Sequence, residues 1–185
     1  KLQTKSSKIL DSIQLSLKKE GIYFINENEV KQSQIEFLKD FFLREISPAL
    51  VTIILSKRKK YDFTDNKAFL ITKMSFKKHE DIHAIVEIPK NISRFVVLPK
   101  ESKNQYIMLI DDIIRYHLKI IFSYYNYDSI DTHMVKITRD AEMDIDDIDM
   151  SKSYIKKISE YVKKRKYSNP VRLVYDKDIS KSTLD

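Results

Sequence analysis

Apolar residues recur along this chain with two spacings, near 3.6 and near 2 residues, and the switches between them lay out its elements. Leu10, Ile13 and Leu17 fall at helical spacing, and Gly21 follows as a natural C-terminal stop. Ile22 to Ile25 reads as a short extended link. A second helical pattern carries its apolar face on Ile35, Leu38 and Phe42, with Asn28 as its candidate cap and Pro48 closing it off. Val51 to Leu55 reads as a buried strand, Ser56 to Lys67 as a polar, basic loop, and Ala68 to Phe76 as a second strand. His83 to Ile88 and Arg94 to Leu98 are two more, ended by Pro89 and Pro99. After Tyr106 to Leu109, the stripe Ile110, Ile114, Leu118 and Ile121 predicts a helix beginning near Asp111. His133 to Arg139 is a further strand, Ile155, Ile158 and Val162 mark a final long helix, and Val171 to Tyr175 is a last strand after Pro170. Hairpin-like strands with separated helices predict an α+β fold, not a doubly wound one. The expected architecture is a mixed, largely antiparallel sheet with helices packed on it, preceded by two N-terminal helices. Residues 1–47 form the N-terminal helical part in this reading, and residues 48–185 the sheet-containing body.

Composition narrows the class. A length of 185 residues with 42% hydrophobic and 33% charged residues is one globular domain's worth, not a disordered chain. The longest apolar runs, such as Val51 to Leu55, are far too short to span a bilayer, and Lys1 to Lys5 opens no apolar leader. The absence of an initiator Met leads us to expect a fragment of something longer. Zero cysteines exclude disulfides, thiolate zinc sites and a cysteine nucleophile, which fits a cytoplasmic setting. The formal net charge of +7 suits a polyanionic partner, though lysine-rich surfaces also serve solubility alone. A single Gly leaves no room for a glycine-rich phosphate cradle.

The residues with chemical potential mostly have a plainer role available. His79 lies among Lys77, Lys78, Glu80 and Asp81, a solvated loop. His83 starts a strand with only Asp81 and Glu87 near it, His117 rides a helix beside its apolar stripe, and His133 begins a strand. A phosphohistidine needs phosphate donors and a positioned partner, and nothing local supplies both. The acidic run Asp144 to Asp149 lacks a calcium loop's spacing and Gly, so we read it as a linker whose Asp149 or Ser151 caps the last helix. Two basic clusters remain: Lys57, Arg58, Lys59 and Lys60 beside Tyr61 and Phe63, and Lys163 to Lys166 at a helix end, where cations complement the dipole. Arg94, Arg115 and Arg139 are expected to pair with nearby acids, Arg139 with Asp140 or Glu142 for example.

Five segments, in order, carry a resemblance. Phe41 to Pro48 is an aromatic helix end before a Pro. Glu87-Ile88-Pro89 with Arg94 to Pro99 makes paired Pro-bounded strands. Met108 to Tyr116 is a strand-to-helix junction, Thr138-Arg139-Asp140-Ala141-Glu142 a charged strand end, and Pro170 to Asp176 a closing strand. Together they resemble the middle, or head, domain of the long-chain polyphosphate kinase family over nearly the whole chain. The chain departs from the family's pattern where Val51-Thr52-Ile53 replaces a second Thr-Pro turn, and the Ser56 to Lys67 loop lacks the family's aromatic-proline texture.

The resemblance implies a parent enzyme that reversibly transfers the terminal phosphate of ATP to a polyphosphate chain through a phosphohistidine, with ATP and magnesium as its cofactors. It places the acceptor His, a second catalytic His and the metal- and phosphate-binding Arg residues in C-terminal domains, and a base-contacting Asn in an N-terminal one. None of these matches a position in residues 1–185. No catalytic, cofactor or metal residue is therefore expected here; the fragment is read as scaffold and dimer interface. Its expected partners are the parent's remaining domains, a second subunit and polyphosphate, with no nucleic acid, and the parent is expected in the cytoplasm or peripherally on a membrane. Lys57, Arg58, Lys59, Lys60 and Arg139 are the candidate polyanion contacts. The alternative reading is a stand-alone basic α+β module that binds nucleic acid or another polyanion.

Overall fold

The computed structural model describes residues 2–56, 61, 67–139, 170–180 and 183. The chain forms two compact units: residues 1–51 with 88–126, and residues 52–87 with 127–185. Each unit is built from two separate stretches of chain.

The first unit opens with helix α1 (Leu2–Lys19). It ends where expected, because Gly21 has φ of +76°. That left-handed turn disfavours any side chain, and a Cβ there would lie 3.3 Å from Asn104 Oδ1 and 3.4 Å from the Lys103 carbonyl oxygen. The Gly21 carbonyl then accepts the Gln105 N–H at 2.8 Å, which starts the sheet. Strand β1 (Ile22–Ile25) runs parallel to β6 (Gln105–Leu109), and β5 (Phe95–Val97) pairs antiparallel on the other side of β6. Tyr106 and Met108 alternate inward from β6, Val96 from β5.

Helix α2 (Ile35–Phe41) continues through a π turn, Phe42–Ile46, into a 3₁₀ turn, Ser47–Ala49, that accommodates Pro48 near its start. Leu38, Phe42 and Ile46 are all but inaccessible to solvent. Asn28 is not the cap. Its N–H donates to Asn26 Oδ1 at 2.9 Å in a side-chain turn, and the helical region begins with the Lys31 N–H donating to Gln34 Oε1 at 3.0 Å.

The helix expected from Asp111 to Ile121 is two: α3 (Ile110–Tyr116) and α4 (Leu118–Ile121). His117 breaks it, at φ −100° and ψ 11°, with its N–H shared between the Ile113 and Ile114 carbonyls. The break shifts the helical frame, so Phe122 and not Ile121 takes the innermost position; Phe122 is 1% exposed.

The second unit is a five-stranded sheet in the order β2-β4-β3-β7-β8, from β2 (Val51–Ile54), β3 (Ala68–Ser75), β4 (Ile82–Glu87), β7 (Ser129–Arg139) and β8 (Pro170–Tyr175), with β3 antiparallel to β4 and β7 and β7 antiparallel to β8. Leu70, Thr72 and Met74 on β3, Ala84, Ile85 and Val86 on β4, and Val135 on β7 are buried in its three central strands. Strand β2 was expected to be buried, and it is not. It sits at the sheet edge with Val51, Ile53 and Ile54 exposed, because β4 covers only one side of it and an edge position leaves the other open. Strand β7 begins four residues earlier than His133, since Ser129 to Thr132 pair with β3 although the polar Ser129, Asp131 and Thr132 hide the strand pattern. The class is α+β with mixed, largely antiparallel pairing, distributed over two sheets; β1 runs parallel to β6.

Candidate functional site

In the first unit, the most tightly connected polar group joins the approach to α2 with the β5–β6 turn. Lys31 Nζ donates to Glu101 Oε2 at 2.7 Å and to the Tyr106 hydroxyl at 2.5 Å, and lies 4.2 Å from the Tyr106 ring centre. Ser33 Oγ donates to the other Glu101 oxygen, and Tyr23 stacks on Tyr106 at 5.4 Å. Hydrogen bonding to Glu101, then to Tyr106, holds the Lys31 ammonium above its ordinary pKa, and the same contact with Lys31 holds Glu101 below its own. Both charges are engaged by one another. The group ties elements together and has no cation left over for an anionic ligand.

A shallow cleft of about 280 Å³ opens where β1 and β6 end. Gln14, Lys18, Phe24, Ile25, Asn26, Glu29, Leu109 and Asp112 line it. One ammonium faces two carboxylates, and Glu29 Oε2 already accepts the Asn26 N–H at 3.0 Å. That charge balance repels a polyphosphate instead of cradling it.

Arg94 meets the expectation of pairing with an acid. Its Nη2 lies 3.7 Å from Oδ1 of Asp111, which is 2% exposed, and the Ile110 N–H donates to the Arg94 carbonyl at 2.9 Å. His117 is buried, its Nδ1–H donates to the Ile113 carbonyl at 2.8 Å, and its ring stacks flat on Phe42 at 4.2 Å. Burial pushes its pKa down, so it stays neutral. The sequence reading of a structural, half-buried histidine errs only in degree.

In the second unit a row of ionisable side chains crosses the sheet. Lys73 stands opposite His83 on β4 and Asp131 on β7, and cross-strand partners share a face. Lys73 Nζ is 3.0 Å from Asp81 Oδ2, and that bond lowers the Asp81 pKa. Two residues along, His133 is buried and its Nε2 lies 2.8 Å from Asp131 Oδ2. His83 Nε2 is buried without a hydrogen-bond partner. The row brings two of the four histidines to one face, a grouping invisible in the sequence. Its cation is held by Asp81, so it offers a phosphohistidine no free phosphate donor. His79 is exposed in its loop with its ring edge toward Phe76.

Of the candidate polyanion contacts, Lys57, Arg58, Lys59 and Lys60 lie outside the described residues, as do Lys163 to Lys166, the acidic run Asp144 to Asp149 and the helix expected around Ile155 to Val162. Arg139 is the last residue of β7, where the backbone pairing with β8 shifts register. Its proposed partners Asp140 and Glu142 are also outside the described residues. Among the described residues no group of three or more His, Asp or Glu side chains is placed to hold a metal ion. No helix among them is long and apolar enough to cross a membrane.

Comparison with known proteins decides the family. Residues 33–185 match the family model of the polyphosphate kinase middle domain. The chain belongs to that family. The polyphosphate kinase of Vibrio cholerae is 30% identical over 192 residues, an alignment that takes in all of this chain and 27% of the relative. That of Escherichia coli K12 is 28% identical over 187 residues, 96% of this chain and 26% of the relative. The crystal structure of the Porphyromonas gingivalis polyphosphate kinase superposes with a TM-score of 0.71 at 22% identity, covering 94% of this chain and 24% of that one, which shows the shared fold. The chain thus spans about a quarter of the length of the polyphosphate kinases it matches.

Proposed function

We propose that this chain is the structural and dimerisation domain of a polyphosphate kinase. The parent enzyme reversibly transfers the terminal phosphate of ATP, with magnesium, to a polyphosphate chain through a phosphohistidine held outside residues 1–185. The observation that carries the reading is the middle-domain match over residues 33–185. The state of the ionisable groups supports it: Lys31, Lys73 and Arg94 are each paired with a carboxylate, and His117 is buried and neutral. Such a unit positions other domains and a second subunit in a cytoplasmic or peripherally membrane-bound enzyme; it does not perform the transfer. Lys57, Arg58, Lys59, Lys60 and Arg139 are proposed as its polyphosphate contacts.

The test uses the intact polypeptide that contains this chain and the 1–185 piece alone. The intact protein should make polyphosphate from ATP, incorporate labelled phosphate on histidine and sediment as a homo-oligomer, while 1–185 should do no chemistry. Phosphorylation of 1–185 on His79, His83, His117 or His133 would overturn it. Charge reversal at Lys57 to Lys60 should weaken polyphosphate retention most at low salt. Oligonucleotide binding by 1–185 with a steep salt dependence, unaffected by competing polyphosphate, would favour a stand-alone polyanion-binding module instead.

A further inference from the structure

The first helix is the least satisfied element of the first unit. It has 18 residues, about 27 Å of length at 1.5 Å per residue. Only its C-terminal end meets the rest of the unit, through half-buried Gln14 and Leu17; every residue from Thr4 to Ile13 is exposed. Ile9, Leu10 and Ile13 are 52%, 56% and 50% exposed, and their spacing puts them on one stripe with Leu17. The stripe therefore begins in the unit's own packing and continues beyond it, uncovered. In proteins most of a helix's stability comes from packing its apolar face, and most of this stripe is uncovered.

Two observations identify what covers it. The middle-domain model begins at residue 33, so α1 precedes the domain that model describes, whereas the match to the Vibrio cholerae enzyme runs through the whole chain, α1 included. That relative carries 73% of its length outside the matched region (100% less 27%), ample polypeptide to supply a covering face. The second observation is continuity: the stripe runs without a break from Leu17, which the unit's own packing half-buries, so the missing cover adjoins packing already inside the subunit.

We infer that α1 is a docking helix within one polypeptide. Its Ile9-Leu10-Ile13 stripe seats on an apolar surface of the parent chain outside residues 1–185. The inference rests on the reading of this chain as part of a longer polyphosphate kinase. It assigns α1 to contact inside a subunit and leaves the subunit interface to other surfaces.

Hydrogen exchange on the intact protein tests it, alongside the 1–185 piece. Amides of residues 4–13 should exchange roughly tenfold or more slowly in the intact protein than in the piece. The slowing should be the same across a wide range of protein concentrations. An Ile9→Asp/Ile13→Asp variant should abolish it while α2 stays protected, and since both positions are exposed the variant should fold. Protection that fades on dilution would assign the stripe to a second copy and overturn the inference, as would exchange equal to that of the piece. ATP-to-polyphosphate activity, assayed on the same preparation, reports separately on the proposed function. An inactive protein with α1 protected would sink that reading and leave the docking intact.

Discussion

Helices α1 and α2 carry the same kind of pattern and meet opposite fates. Leu10, Ile13 and Leu17 in one, Ile35, Leu38 and Phe42 in the other, repeat at helical spacing. Yet Leu38 and Phe42 are inaccessible to solvent, whereas Leu10 and Ile13 are half-exposed. The strands repeat the contrast: Val51 to Ile54 and Ile82 to Glu87 are both apolar runs, but β2 lies at an edge and β4 between two neighbours. Periodicity fixes which face of an element is apolar. Whether anything covers that face depends on where the chain returns, and each unit here is assembled from two distant stretches.

The sharpest way to break the comparison is in the sheet. Val86→Lys on β4 places an ammonium at a position with no solvent exposure, and should leave no folded protein by circular dichroism. Ile53→Lys on β2 should shift stability by no more than about 0.5 kcal/mol and reduce self-association in sedimentation runs, because a lysine blunts an open edge. Comparable losses at the two sites would mean that β2 is covered in solution.

Next in size is the pair of helices. Phe42→Ala removes the ring stacked on His117 and should lower urea unfolding stability of the chain by about 3–5 kcal/mol. Leu10→Ala on α1 should stay within about 0.5 kcal/mol in 1–185. In the intact protein the Leu10 effect should grow toward that of a buried leucine if α1 is docked there. A large Leu10 effect in the short piece would contradict its exposure.

These contrasts also mark how far the sequence was legible. Elements β3, β4, β5, β6 and β8 were readable within a residue or two because prolines and polar breaks bound them. Gly21 announced the end of α1 through the one backbone conformation it alone adopts easily. The failures have specific causes. Asn28 looked like a cap, but a neighbouring Asn26 took its N–H. The break at His117, whose ring stacks on a distant Phe42, has no local signal. The Lys31–Glu101 pair spans seventy residues of sequence, and the histidine row of the second unit depends on strand register, neither of which spacing can reveal. The family resemblance was legible because it rests on ordered local segments, not on contacts.

A smaller effect should come from pH. Burial holds the His117 pKa below that of an exposed histidine, so the unfolded chain binds a proton on this ring that the folded chain refuses. Its favourable share of stability is complete above the ordinary histidine pKa of 6.5 and falls away as pH drops below it. A His117→Phe variant keeps the flat stack and cannot titrate. The wild-type minus variant difference in Tm, which cancels the other titrating groups, should therefore slope downward between about pH 6.5 and 5. A flat difference would mean that the ring is solvated and the α3–α4 break open.

The smallest effect is expected where the sequence was least informative, at Lys31 and Glu101. Glu101→Gln keeps the shape and one acceptor but removes the charge that Lys31 and Ser33 address. The folded Glu101 carboxyl is held below 4.5, so its contribution is present above that value and lost as pH falls through the lowered one; the Lys31 ammonium is held above 10.5, so its contribution is present below that value and lost at higher pH. The Tm difference between wild type and Glu101→Gln should thus be a plateau between those limits, within about a degree or two, and shrink as salt is raised. Because the two residues join the approach to α2 with the β5–β6 turn, a larger loss would show that this tie, and not the buried face of α2 alone, sets how firmly the helix is held. That outcome would blunt the contrast with α1, since α2 would then owe its place to a polar anchor that α1 lacks as much as to the apolar cover it lacks.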